Sequence, residues 1–193
     1  MENITDIIEG CKKRDILAQK KLYLGYYSVV KNTIRYSIKD IEVVNDLTQE
    51  CFLKVFDKIG SYSGTGVFEG WIKRMASNIA IDYFRKNSKY EKHDDIDLLA
   101  DSYHETEEED SLISQISDVA NLEDLQRAID QLPFRIRIVF VLHIIEHKSH
   151  EEIAKKLNIT IPNSRKRLHT ARIWLKEYLL NQYRDKIQAP VWI

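Results

Sequence analysis

Apolar residues recur at helical spacings along most of the chain. From Ala18 to Lys39, Tyr, Val, Ile and Leu return every three or four positions, which predicts a long amphipathic helix. A second helix covers Asp46 to Ile59. It sends Leu47, Val55, Phe56 and Ile59 toward a core and leaves Asp46, Gln49, Glu50 and Lys54 on a separate polar stripe. The string "GSYSGTG" then interrupts the pattern with three Gly and three Ser/Thr hydroxyls. A third helix resumes near Phe68 and runs to Lys86, with Ile72, Met75, Ala76, Ile79 and Tyr83 as its apolar stripe.

The C-terminal part predicts four more helices. Leu122–Asp130 leads into "QLP", where Pro133 can open a helix from its first turn. Phe134–Glu146 is strongly apolar. Ser149 followed by Glu152 has the spacing of a capping box, which starts a helix over 150–157 with Ile153, Ala154 and Leu157 inward. Asn158 stands where the chain must turn, and Asn tolerates the left-handed conformation. A last helix begins near Thr160 and accepts Pro162 in its first turn. On it Ser164, Leu168, Ala171 and Leu175 share one face. Lys166, His169 and Thr170 lie opposite, with Asn163, Arg165 and Arg167 beside them. A short turn between two capped helices, the second with an apolar back and a basic front, predicts a helix-turn-helix that reads DNA. An ordinary helical hairpin with a solvated charged face is the plainer reading of the same pattern.

Charge sharpens the picture. The 193 residues carry a net charge of −1, which is unexpected for a DNA reader. The charge is unevenly spread. Residues 1–90 hold 15 Lys/Arg against 11 Asp/Glu, residues 91–124 one against 13, and residues 125–193 13 against 6. Two basic segments therefore flank an acidic one. Residues 91–121 are poor in large apolar groups and include the run Glu107–Asp110, so they read as a flexible tether. The expected organisation is all-α: a helical domain over 1–90, a linker over 91–121, a helix-turn-helix domain over 122–185 and a tail over 186–193. No apolar run approaches the ~18 residues of a membrane span, and the charged N-terminus lacks a signal-peptide core. A cytoplasmic protein without stable membrane insertion is expected, and Cys11 and Cys51 then read as free thiols.

One motif points elsewhere. His143-Ile144-Ile145-Glu146-His147 fits H-x-x-E-H, an inverted zinc-peptidase pattern, with the two His as ligands and Glu146 as general base. No suitable further carboxylate follows on a separate helix, and both His residues suit the end of a helix, where its dipole favours them. No metal, cofactor or catalytic residue is expected.

The combination of "DLTQECFLKVF", then "WIKRMASNIAIDYFRKN", then the basic helical pair resembles an extracytoplasmic-function (ECF) sigma factor of the sigma-70 type. The first two strings resemble the family's region 2 and the C-terminal part its region 4, covering most of the chain outside the tether. The resemblance implies a non-enzymatic subunit that binds core RNA polymerase, recognises promoter DNA and opens it. It implies that Asp46, Gln49, Glu50 and Lys54 face the β′ clamp helices and that region 4 meets the β flap. Phe68, Trp71 and Asn78, with Ser61 and Gly64 in the loop rim, become candidates for holding an exposed minus-ten base. Lys73, Arg74, Arg85 and Lys86 become candidates for backbone phosphates. Phe68 and Trp71 also suit a plain core role. Asn163, Arg165, Lys166, Arg167, His169 and Thr170 become candidates for the minus-thirty-five element. The family often adds an anti-sigma factor as a partner. Here Pro162-Asn163-Ser164-Arg165-Lys166-Arg167 replaces the common Gly-Thr-Val start and Lys-Ser-Arg continuation, and Thr170 stands where members often carry Arg; both departures bear on base preference. A regulator with an N-terminal sensing domain is the alternative, although it has no need of the polar stripe and the Gly-Ser loop together.

Overall fold

A computed structural model describes residues 3–87 and 122–187; the acidic segment expected as a linker over 91–121 and residues 188–193 of the expected tail lie outside the described residues. The chain divides into two compact units between Tyr83 and Phe84.

The first unit is built from α1 (Ile4–Lys12), α2 (Ile16–Ser37), α3 (Ile41–Lys58) and most of α4 (Phe68–Asn87). Each of the first three helices starts at a side chain that accepts from the open backbone N–H groups: Asn3 from Thr5, Asp15 from Leu17 and Ala18, and Asp40 from Glu42 and Val43. The core is aliphatic at its centre, with Leu22, Val30, Ile34, Val44, Val55, Ile59 and Ile72 almost fully buried. Thr48 is buried too, and its hydroxyl donates back to the Val44 carbonyl at 2.7 Å, which satisfies that hydroxyl within its own helix. Helices α1 and α2 meet at Gly10, where an added Cβ would stand 2.6 Å from the Cβ of Ala18.

The second unit contains α5 (Leu122–Gln131), α6 (Phe134–Phe140), α7 (His150–Leu157) and α8 (Ile161–Ile187). Its core is Ile129, Leu132, Ile136, Ile138, Leu142, Ile153 and Ala171. Arg137 is buried among them. One nitrogen of its guanidinium donates to the carbonyls of Asp130 and Leu132, at 2.8 and 2.7 Å, and so closes the end of α5. The expected α-helix over 134–146 is α-helical only to Phe140. Val141–Ile145 widens into a π turn. It closes on His147 at φ 54°, with the Lys148 N–H donating to the Leu142 carbonyl as in a Schellman ending. The capping box at Ser149 and Glu152 forms in both directions. Asn158 takes the left-handed conformation at φ 55°, ψ 50°, and turns the chain into α8.

Candidate nucleic-acid and polymerase interfaces

On α3, the stripe opposite the core is open. Asp46 and Gln49 are exposed, and Glu50 and Lys54 are half-buried and paired at 2.7 Å, one helical turn apart. Leu53 lies among them and is 71% exposed. Sequence reasoning sorted this face by its polar residues and passed over Leu53. The available signal was a large aliphatic residue off the helix's core stripe.

The loop between α3 and α4 is a closed, hydrogen-bonded unit. The Ser61 hydroxyl donates to the Lys58 carbonyl and the Tyr62 hydroxyl to the Gly66 carbonyl, at 2.7 and 2.8 Å. Ser63 and Thr65 share a hydroxyl contact at 2.6 Å. Gly64 at φ 76° and Gly66 at φ 84° provide the two left-handed positions the turn needs. Under the loop, Tyr62 and Phe68 meet edge to face with centroids 5.2 Å apart, and Trp71 stacks on Phe68 at 5.5 Å. Tyr26 of α2 joins the cluster, meeting Phe68 edge to face with centroids 5.2 Å apart. Its phenol is pushed up in pKa by burial and then by Glu69.

Phe68 is 4% exposed, which removes it as a base-stacking candidate. Its ring is in contact with those of Tyr26, Tyr62 and Trp71. Trp71 keeps part of its surface open. From it Arg74, Asn78 and Arg85 follow at spacings of three, four and seven, all exposed, so one stripe of α4 carries a ring, an amide and two guanidinium groups. Lys73, exposed and on another side of α4, pairs with Glu69 at 2.6 Å; Lys86 is exposed in the last turn.

In α8 the predicted front is only partly open. Asn163 and Arg165 are exposed and Lys166 is half-buried. The Thr160 hydroxyl accepts from the Asn163 N–H at 3.3 Å and caps the start of the helix. Beyond Lys166 the helix is enclosed. Arg167, His169 and Thr170 are 8, 9 and 3% exposed, against the expectation that they face a groove. The Thr170 hydroxyl donates to the Lys166 carbonyl of its own helix. The reason is packing: α8 lies against α5, α6 and α7, so more than one of its sides is covered.

The His-rich turn serves this same helix. His143 and His150 stack with centroids 4.6 Å apart and planes 13° from parallel. Nδ1 of His143 faces the Lys148 carbonyl at 2.9 Å, so it carries the proton. His150 meets the buried hydroxyl of Ser164 on α8, also at 2.9 Å. Burial lowers the His150 pKa, and His143 and Arg165 lower it further. The inverted zinc motif does not assemble. A π turn does not return His143 and His147 to one face as an α-helix does, and His147 sits in a left-handed turn. Among the described residues no group of three His, Cys, Asp or Glu is placed to hold a metal. Among them, too, no helix is long and apolar enough to cross a membrane.

Two sequence families meet these two units in order. The description "Sigma-70 region 2" matches residues 22–90 and "Sigma-70, region 4" matches 122–175. The chain belongs to the sigma-70 family. Its relatives place it in the ECF branch. It is 34% identical over 145 residues to the ECF RNA polymerase sigma factor SigE of Mycolicibacterium smegmatis, covering 75% of this chain and 54% of that protein. It is 28% identical over 180 residues to the ECF RNA polymerase sigma-E factor of Escherichia coli, covering 89% of this chain and 92% of that one. The chain thus spans about half the length of the first relative and nearly all of the second. Among solved structures, the sigma factor RpoE in complex with the anti-sigma factor NepR from Bartonella quintana aligns with a TM-score of 0.47 at 19% identity, covering 83% of this chain and 95% of that one.

Proposed function

We propose that this protein is a sigma subunit of RNA polymerase. It binds core polymerase through region 2, recognises promoter DNA through both regions, and starts transcription without catalysing a reaction itself. The observation that carries this reading is the presence of region 2 and region 4 in one chain, in that order. A helix-turn-helix regulator with an N-terminal sensing domain has no use for region 2.

Each surface takes a role by its chemistry. The stripe of Asp46, Gln49, Glu50 and Lys54 around exposed Leu53 suits a protein helix: an apolar anchor within a polar rim. The loop of Ser61 to Gly66, with Trp71 and Asn78 beside it, suits an unpaired minus-ten base, offering a ring face and an amide. Lys73, Arg74, Arg85 and Lys86 suit the phosphates around it. Asn163, Arg165 and Lys166, at the capped start of α8, suit the upstream element, because the first turn of a recognition helix enters the major groove. An anti-sigma factor remains an expected partner from the family alone. Run-off transcription with core polymerase from the same organism tests the reading. The expected result is promoter-specific transcript only when the chain is added; transcript at equal level without it refutes the assignment.

A further inference from the structure

Helix α2 has a second surface besides the one it packs. Its buried side carries Ala18, Leu22, Val30 and Ile34, and the helix lies against α1 and α3. On the other side Leu17 is 68% and Leu24 65% exposed. They stand seven residues apart, so they share one stripe, roughly 10 Å from each other along the axis. Lys20 and Lys21 fall between them, one on each flank of the stripe, and both are exposed. Exposed Ser28 continues the stripe, and at Gly25 an added Cβ would meet nothing within 4 Å. Lys13 and Arg14 are exposed in the turn before the helix, and Ile16 is exposed in its first turn. Residues 13–24 thus hold four exposed cations against one acid, Asp15, whose carboxylate accepts from the Leu17 and Ala18 N–H groups.

We propose that this stripe is a docking surface for an anionic lipid bilayer, with α2 lying in the plane of the headgroups. Leucines flanked by lysines on both sides are what an interfacial helix presents. The apolar side chains enter the acyl boundary, and the lysine stems reach back to the lipid phosphates. Each cation held near the surface adds to the attraction. A partner helix is served less well. Its seam needs an apolar residue at each turn, and here the positions between and after the leucines are Lys20, Lys21 and Ser28. A DNA backbone uses the lysines alone and leaves the leucines in water. Few apolar side chains enter the bilayer, so the contact is reversible. The net charge of −1 adds no long-range attraction, and the local cluster supplies it within a Debye length.

The test is flotation of the full chain with vesicles of equal parts phosphatidylcholine and phosphatidylglycerol, and with vesicles of phosphatidylcholine alone. The expected result is binding to the anionic vesicles at low salt, weakening as salt rises, and little binding to the neutral ones. Leu17→Ser with Leu24→Ser is expected to weaken binding at least tenfold with Tm unchanged, because both side chains are already exposed. Lys20→Gln with Lys21→Gln is expected to weaken it several-fold and to reduce its salt dependence. Ile41→Ser, at an exposed apolar position on α3, is expected to bind as wild type does. The proposal is overturned if wild-type protein does not float with anionic vesicles, or if the double leucine variant floats as well as wild type. Equal loss in Ile41→Ser overturns it too, since binding is then unspecific. If the double leucine variant loses affinity for core polymerase and keeps its vesicle binding, the stripe is a protein interface and the proposal falls.

Discussion

Single side chains in the two units divide into those that touch solvent and those that hold other groups in place. Leu53 shows the first kind. It is 71% exposed, so Leu53→Ser is expected to leave stability within ~0.5 kcal/mol, as surface changes usually do. The same change is expected to weaken core polymerase binding by about 1–2 kcal/mol, as loss of a central anchor does. Titration of labelled core polymerase checks this, and unchanged affinity with unchanged Tm removes Leu53 from the interface. Lys166 belongs to the same kind in region 4. Lys166→Ala is expected to cost about 1–3 kcal/mol and to relax preference at one base pair, measured by binding to a set of singly altered upstream elements. His150 is of the second kind. Its pKa is depressed in the folded protein, so the unfolded chain takes up the proton more readily. The contribution of the His150–Ser164 contact is therefore complete above the ordinary His value of about 6.5 and is lost as pH falls through the lower folded value. His143, Arg165 and Arg172 oppose a charge there, and Glu151 alone favours it. The pH dependence of Tm is expected to flatten below about 6.5 in His150→Asn, whose amide keeps a hydrogen-bonding group near Ser164. An unchanged slope would assign the acid sensitivity to other groups.

Among the elements, the sharpest constraint is the crossing of α1 over α2. A methyl group on Gly10 would meet the Cβ of Ala18 at 2.6 Å, and neither atom belongs to a side chain that can swing away. Gly10→Ala is expected to destabilise region 2 by about 1–3 kcal/mol, the usual range for overpacking, against the small gain Ala brings to a helix interior. Urea unfolding measures the change, and a neutral result would mean that α1 slides freely on α2. The turn between α7 and α8 is held differently, by local hydrogen bonds at each end. Ser149→Ala is expected to remove about 1 kcal/mol through loss of one half of the capping box. The loop after α3 depends on both devices: two left-handed Gly and the Tyr62 hydroxyl on the Gly66 carbonyl.

At the scale of the whole molecule, charge is the organising variable. Residues 91–124 hold one basic and 13 acidic residues, and the segments on either side are basic. A polyanionic stretch on the same chain opposes the approach of DNA whatever its conformation, because like charges repel over roughly a Debye length, ~10 Å at 0.1 M salt. Replacing Glu107, Glu108, Glu109 and Asp110 by Gln and Asn is expected to tighten promoter binding at low salt. The difference is expected to shrink as salt rises. Equal affinities at low ionic strength would show the segment to be a spacer only.

Local pattern carried most of the architecture. Spacing of apolar residues is enough to mark α2, α3, α4, α7 and α8, because a helix face repeats in sequence as it does in space. Caps are legible for the same reason: Ser149, Glu152 and Asn158 act on neighbours within a few residues. The polar stripe of α3 and the Gly-Ser loop were also readable as surfaces before any packing was known. The fate of Phe68, Arg167, His169 and Thr170 was not. Periodicity gives a helix one buried side, and α8 has several because α5, α6 and α7 all lie against it. The same limit hid the π turn at Val141–Ile145, where Leu142 answers Lys148 across the end of the helix, and the capping of α5 by buried Arg137. Which polar side chains face outward depends on how many neighbours a helix has, and that number exists only once distant segments of chain have packed together.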